Sequence, residues 1–173
     1  WIMSLISIDM NKDGHKDILI SDRRGPKRGI FWLEYPGPEA AIEPSQWKRH
    51  EIGGNDREIK FISQGDLDKD GRLDVIAIDT TSIIWFRYTA SEWEEHVIPL
   101  PDGVGGGKSA VSFDVNHDGQ NDLVFSCESA KAPLSGTRWL SYKDTPFDPV
   151  WQSHEIAGKE GIKYDRIVPS DVD

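Results

Sequence analysis

The chain has 173 residues, of which 37% are hydrophobic and 29% charged, so it can bury a sizeable core and is not a disordered polymer. Twenty Lys and Arg against thirty Asp and Glu give a formal net charge of −10 and a pI near 4.9. A general nucleic-acid binder should be basic, so no nucleic-acid partner is expected; with no run of 18 apolar residues, no membrane insertion is expected either.

Taken in chain order, the sequence repeats itself. An acidic loop runs Asp9-x-Asn11-x-Asp13-Gly14-x-x-Asp17, followed by the apolar run Ile18-Leu19-Ile20 and the aromatic run Ile30 to Tyr35. Trp47-x-x-His50-x-Ile52 comes next, and Ile59 to Ser63 leads into a second loop, Asp66-x-Asp68-x-Asp70-Gly71-x-x-Asp74. The same succession follows it: Val75 to Ile78, Ile83 to Tyr88, then Trp93-x-x-His96-x-Ile98. The third loop is Asp114-x-Asn116-x-Asp118-Gly119-x-x-Asp122, followed by Leu123 to Phe125, Arg138 to Tyr142 and Trp151-x-x-His154-x-Ile156. A fourth loop begins at Asp171-Val172-Asp173, where the sequence given stops.

Loop starts at 9, 66, 114 and 171 define a period near 50 residues. Each period holds four short runs rich in β-branched and aromatic residues, separated by Gly, Pro, Asp and Ser turns, and none shows a sustained helical period. Sixteen Gly, ten Pro and seven Trp agree with a turn-rich β protein. The expected fold is all-β, a β-propeller of four-stranded antiparallel blades. We label the strands of each blade A to D from the inside outward, with the acidic loop between A and B. About three blades are present, at residues 1–56, 57–105 and 106–163, with a fourth started at 164–173. Three blades cannot close a ring, so the sequence is expected to be a piece of a longer protein, or to need another copy.

The loops have the chemistry of a cation site. Oxygens at positions 1, 3 and 5 converge when such a loop wraps tightly, and Gly at position 6 allows the sharp turn. Position 7 (His15, Arg72, Gln120) offers a backbone carbonyl with its side chain pointing away, and position 9 (Asp17, Asp74, Asp122) closes the shell. Hard oxygen ligands without Cys or His favour Ca²⁺ over zinc or copper. Carboxylates about 4 Å apart repel by roughly 1 kcal/mol in water and about 4 at an effective dielectric of 20. A divalent cation removes that conflict. The three loops hold ten carboxylates, and three calcium ions would bring the net charge from −10 to −4. Position 12 of an EF-hand would be Ile20, Ala77 or Phe125 here, which excludes that motif.

Loop motif and blade period together resemble the FG-GAP/VCBS repeat family, which includes the calcium-stabilised integrin-α-like propellers; the Phe-Gly…Gly-Ala-Pro signature is absent, so the VCBS-like branch fits better. The resemblance implies a propeller, typically seven-bladed, with calcium in the A–B loops. Carried onto this chain the side-chain ligands are Asp9, Asn11, Asp13, Asp17; Asp66, Asp68, Asp70, Asp74; and Asp114, Asn116, Asp118, Asp122. Family members serve in adhesion, in carbohydrate binding and in polysaccharide-degrading enzymes, so the resemblance does not imply a single function.

Other side chains give weaker signals. His50, His96 and His154 recur in every strand D, which suits structural hydrogen bonding rather than catalysis, and Trp32, Trp85 and Trp139 suit packing. Cys127, the single cysteine, lies in an apolar run and is expected to be a small buried hydrophobe. On the side expected opposite the acidic loops, the B–C loops carry Arg23, Arg24, Lys27, Arg28 and Lys131, and the D–A loops or the starts of strand A carry Arg57, Lys60, Lys108, Lys159, Lys163 and Arg166. Two readings stand side by side. Arg23, Arg24, Arg28, Arg57, Lys60, Lys108, Lys163 and Arg166 form a face for an anionic polysaccharide or protein partner; alternatively the loops are simply polar, and their cations pair with Asp22, Asp56, Glu58 and Asp165.

The expected function is a calcium-stabilised binding or adhesion module of an exported protein, since loops of extracellular affinity would be poorly filled in cytosol. The alternatives are the propeller of a lyase-like polysaccharide enzyme, with Tyr164 beside Asp165 and Arg166 as its one local cluster, and a pure scaffold. No catalytic residue is assigned.

Overall fold

The structure is a computed structural model and describes residues 1–157 and 164–170. Lys159, Lys163 and the truncated loop Asp171-Val172-Asp173 lie outside the described residues. Twelve strands form three four-stranded antiparallel sheets, each in simple sequence order. The fold is all-β, and its sheets are of the expected blade type.

By contact the chain divides into two compact units, Trp1–Lys60 and Phe61–Asp173. The first unit holds β1 (Ile2–Ile8), β2 (Asp17–Asp22), β3 (Gly29–Glu34) and β4 (Lys48–Gly53). Its interior strands carry the apolar runs: Leu19 and Ile30 are fully buried, and Ile20 and Phe31 nearly so. Full burial of such a side chain is worth roughly 1.5–3 kcal/mol. By contrast β1 leaves Ile2 and Leu5 47% and 65% exposed.

The second unit holds two sheets. One is β5 (Ile62–Gly65), β6 (Asp74–Ile78), β7 (Ser82–Tyr88) and β8 (Trp93–Pro99); the other is β9 (Gly106–Phe113), β10 (Asp122–Glu128), β11 (Thr137–Ser141) and β12 (Gln152–Ala157). Their first strands lie side by side, with the Ser63 hydroxyl donating to the Ala110 carbonyl at 2.8 Å. A shared core forms from Ile76, Ile78, Ile83 and Trp85 of one sheet and Leu123, Phe125 and Cys127 of the other. Cys127 is a buried free thiol, as expected. Gly107 is required where the sheets meet, because a Cβ there would stand 2.4 Å from the Asp79 carbonyl oxygen.

Antiparallel register sends the connections of each sheet to opposite ends. In the first unit, Asp17 accepts a hydrogen bond from the Tyr35 N–H at the β3–β4 connection, so the acidic loop and that connection share one end. At the other end Arg28 of the β2–β3 connection reaches the Asn55 carbonyl after β4.

Candidate metal centres

The three acidic loops have one backbone conformation. Position 4 is left-handed in each, at φ 63° for Lys12, 56° for Lys69 and 59° for His117, and position 6 is Gly14, Gly71 or Gly119 at 89°, 80° and 89°. Left-handed geometry at a non-glycine residue costs about 1–2 kcal/mol and here recurs three times, so the loop's hydrogen bonds impose it.

Those bonds are the same in every loop. The position-1 carboxylate accepts two backbone N–H groups: Asp9 from Asp13 and Gly14 (3.1 and 2.9 Å), Asp66 from Asp70 and Gly71 (3.0 and 2.9 Å), Asp114 from Asp118 and Gly119 (3.2 and 3.0 Å). Position 5 accepts the N–H of position 7, from His15, Arg72 and Gln120, at 2.8, 2.9 and 2.8 Å. Position 9 is buried at the base, with Asp17, Asp74 and Asp122 at most 1% exposed. Each accepts the N–H of position 2, from Met10, Leu67 and Val115. Asp74 also accepts the Trp85 indole N–H at 2.8 Å and the Tyr88 N–H at 3.1 Å.

These contacts split the carboxylates electrostatically. Backbone N–H groups of His15 and Gln120, then the Asn11 and Asn116 amides, hold Asp13 and Asp118 below the usual carboxylate range. Burial pushes Asp74 and Asp122 up, against their hydrogen bonds, and neighbouring carboxylates add to the rise. In the third loop the two shifts meet, Asp118 held down and Asp122 pushed up, an opposition that a cation would relieve. Asp66, Asp68 and Asp74 each place an oxygen within 4.8 Å of one another, the group of this kind among the described residues. An all-oxygen donor set fits a hard divalent cation.

The second loop departs from its neighbours. Position 7 was expected to turn its side chain away, and Arg72 instead bonds Asp70 Oδ2 at 2.5 Å and the Tyr88 carbonyl at 3.1 Å. Arg87, which the sequence reading did not single out, reaches Asp68 Oδ2 at 2.5 Å and Asp70 Oδ2 at 3.0 Å. Four carboxylates in one loop draw in guanidinium groups. This loop is also tied to the third: the Asn121 amide donates to the Asp66 carbonyl at 2.7 Å, and the Lys69 ammonium donates to the Gly119 carbonyl.

Residues 66–125 match the family model of the FG-GAP-like repeat. This stretch is similar to an FG-GAP-like repeat. The match runs from the first residue of the second loop to Phe125, just past the third loop, and so spans the two tied loops and the four strands between them. No curated protein matches the chain. Among the described residues, no helix is long and apolar enough to cross a membrane.

Flanking the three acidic loops, the recurrent aromatics form cross-strand pairs. Trp32 stacks on His50 at 4.0 Å and Trp139 on His154 at 3.9 Å, while Trp85 lies tilted against His96 at 4.8 Å. Trp47, Trp93 and Trp151 each pack against a tyrosine, Tyr35, Tyr88 or Tyr142.

The basic residues do not assemble as one open face. Lys60, expected on the ligand face in a D–A loop or the start of strand A, is 1% exposed, and the Ser21 hydroxyl donates to its carbonyl at 2.8 Å. Arg23 and Arg24 both grip Glu58, at 2.9 Å each. Lys108 pairs with Glu128 at 2.9 Å and faces Asp165 at 3.8 Å. Arg28 bonds the carbonyls of Asn55 and Asp56. Arg166 is exposed, and Arg57 is half-buried with a polar partner. In the first unit, Lys27, Arg28 and Arg49, with Glu51 and Asn55, line an open concavity of about 500 Å³.

Proposed function

We propose that the chain is a calcium-stabilised run of propeller blades from a binding or adhesion module, with one Ca²⁺ in each complete loop. The observation that carries this reading is the threefold recurrence of one loop geometry, with rim carboxylates above a buried ninth-position Asp. Asp9, Asn11, Asp13 and Asp17, and their counterparts in the other two loops, would hold the ion with the carbonyls of His15, Arg72 and Gln120. The ion would supply charge neutralisation and rigidity rather than chemistry.

Export follows from the weak calcium affinity of extracellular modules. The exposed Ile2 and Leu5 of β1 support further blades, or another copy, packing beside it. An anionic polysaccharide or protein partner is the ligand class we propose, received at the concavity of Lys27, Arg28 and Arg49. Arg28 and Arg49 already bond the Asn55 and Asp56 carbonyls and Glu51, so a ligand there would share or displace those contacts.

Calcium titration by calorimetry, with melting in calcium and in chelator, tests the metal assignment: binding and a raised Tm are expected, and identical melting curves without heat of binding overturn it. Affinity electrophoresis in calcium, through uronate-rich, sulfated and neutral polysaccharide gels, tests the partner. Salt-sensitive retardation in an acidic gel is expected. Free migration in all gels removes the polysaccharide and leaves a protein partner or a scaffold, and turnover of a uronate polymer would bring back the lyase alternative.

A further inference from the structure

We propose that Arg87 is a positioning residue of the second loop, a resident cation that holds Asp68 and Asp70 together whether or not a metal is present. The proposal rests on the calcium reading above and concerns how one loop differs from the other two.

Loops one and three supply the comparison. In them position 3 is Asn, and its amide donates to Oδ2 of position 5: Asn11 to Asp13 at 3.0 Å, Asn116 to Asp118 at 2.8 Å. In the second loop position 3 is Asp68, which has no donor when ionised. Two guanidinium groups reach Asp70 Oδ2 instead, Arg72 at 2.5 Å and Arg87 at 3.0 Å; Arg87 also binds Asp68 Oδ2, at 2.5 Å, and so joins the two carboxylates as Arg72 does not. Both contacts fall on Oδ2; Oδ1 of Asp68 and of Asp70 faces the loop's own N–H groups, at 3.3 and 2.9 Å. Arg87, Asp68 and Asp70 are 20%, 8% and 17% exposed, so water screens these contacts poorly.

A second observation comes from strand D. The residue two after the strand-C Trp is Glu34, Arg87 or Ser141. Glu34 contacts His50 Nε2 at 2.6 Å, and Ser141 contacts His154 Nε2 at 2.8 Å. In the middle repeat His96 Nε2 is buried without a hydrogen-bond partner, its acidic neighbour Glu94 standing at 3.7 Å. The histidine anchor of the other two repeats is given up, and the side chain serves the loop.

The consequence is a loop that stays closed without calcium, between repeats whose loops depend on it. Hydrogen exchange of the whole chain, in calcium and in calcium-free buffer, tests this. On calcium removal residues 9–17 and 114–122 should lose protection, while 66–74 keep most of theirs. In Arg87→Met, residues 66–74 should exchange at least about tenfold faster without calcium, as expected when charge-assisted hydrogen bonds are removed. Adding Asp68→Asn should restore protection, because an amide at position 3 supplies the lost donor.

Equal loss in all three wild-type loops overturns the proposal and leaves the calcium reading intact. An unchanged Arg87→Met, or no rescue by Asp68→Asn, overturns it too. If Arg87→Met fails to fold, recovery of folding in the double variant supports the proposal and its absence overturns it. If no loop responds to calcium, the calcium reading fails and this one falls with it.

Discussion

Trp85 donates its indole N–H to Asp74 Oδ2 across 2.8 Å, and neither residue has any exposed surface. The core of the second unit is thereby joined to the base of an acidic loop through one polar contact. Asp74 also receives the N–H groups of Leu67 and Tyr88. Asp74→Ala would strand all three donors, at about 3 kcal/mol or more, since each buried unsatisfied group costs roughly 1–3 kcal/mol. The loss should appear in urea unfolding both with and without calcium. Asp66→Ala, on the partly exposed rim, should cost more in calcium than without it, where it still removes the acceptor of the Asp70 and Gly71 N–H groups.

Glycine substitutions should separate crowding from backbone strain. An alanine Cβ at position 107 would lie 2.4 Å from the Asp79 carbonyl and 2.7 Å from Ile78 side-chain atoms. Gly107→Ala should cost about 2–3 kcal/mol in denaturant unfolding, as overpacking a tight contact does. At Gly14 nothing stands within 4 Å of a new Cβ, and only the φ of 89° resists. Gly14→Ala should therefore cost about 1 kcal/mol.

Acidification should act on the calcium-free and calcium-loaded forms with opposite sign. Asp74 and Asp122 titrate above the ordinary carboxylate value of 3.8, chiefly through burial. Without calcium the folded chain therefore takes up their protons before the unfolded chain does. Stability rises as pH falls through the window above that value. Asp13 and Asp118, shifted down by hydrogen bonds, contribute stability that is lost below it. Calcium needs ionised ligands, so its stabilisation fades over the upper window. Melting from about pH 7 to pH 4 should show the two Tm curves converging; a constant gap would contradict this account.

Glu58 sits between Arg23 and Arg24 and answers both. Glu58→Gln should leave the Tm close to wild type, because an exposed ion pair adds little. If anionic polymers bind this end of the first unit, the freed guanidinium groups should increase salt-sensitive retardation in a sulfated gel. Unchanged migration would assign these arginines to the framework.

The sequence was legible where a pattern repeats. Asp9-x-Asn11-x-Asp13-Gly14-x-x-Asp17 and its two copies set the period, and the apolar runs beginning at Ile18, Val75 and Leu123 fall on β2, β6 and β10. Buried alternation and glycine turns are local rules, and they carried the strands. Features that depend on a difference between copies were harder to see. Arg87 looks like an ordinary strand residue until Glu34 and Ser141 are set beside it and the Asp68 substitution is noticed. The loop cations were legible only as two alternatives: Arg23 and Arg24 on Glu58, and Lys108 facing Asp165, follow the local-pairing one, while sequence position does not tell that Lys60 lies under the surface. Tertiary pairing decides both.

Asn121 and Lys69 cross between the second and third loops and end on the carbonyls of Asp66 and Gly119. Side chains about 50 residues apart in sequence thus finish each other's main-chain hydrogen bonding, as rungs do between the rails of a ladder. In repeat proteins cooperativity lives in such neighbour terms more than in the repeats themselves. A cut between these two blades would therefore sever both crossings at once and leave two ragged ends where one seam had been.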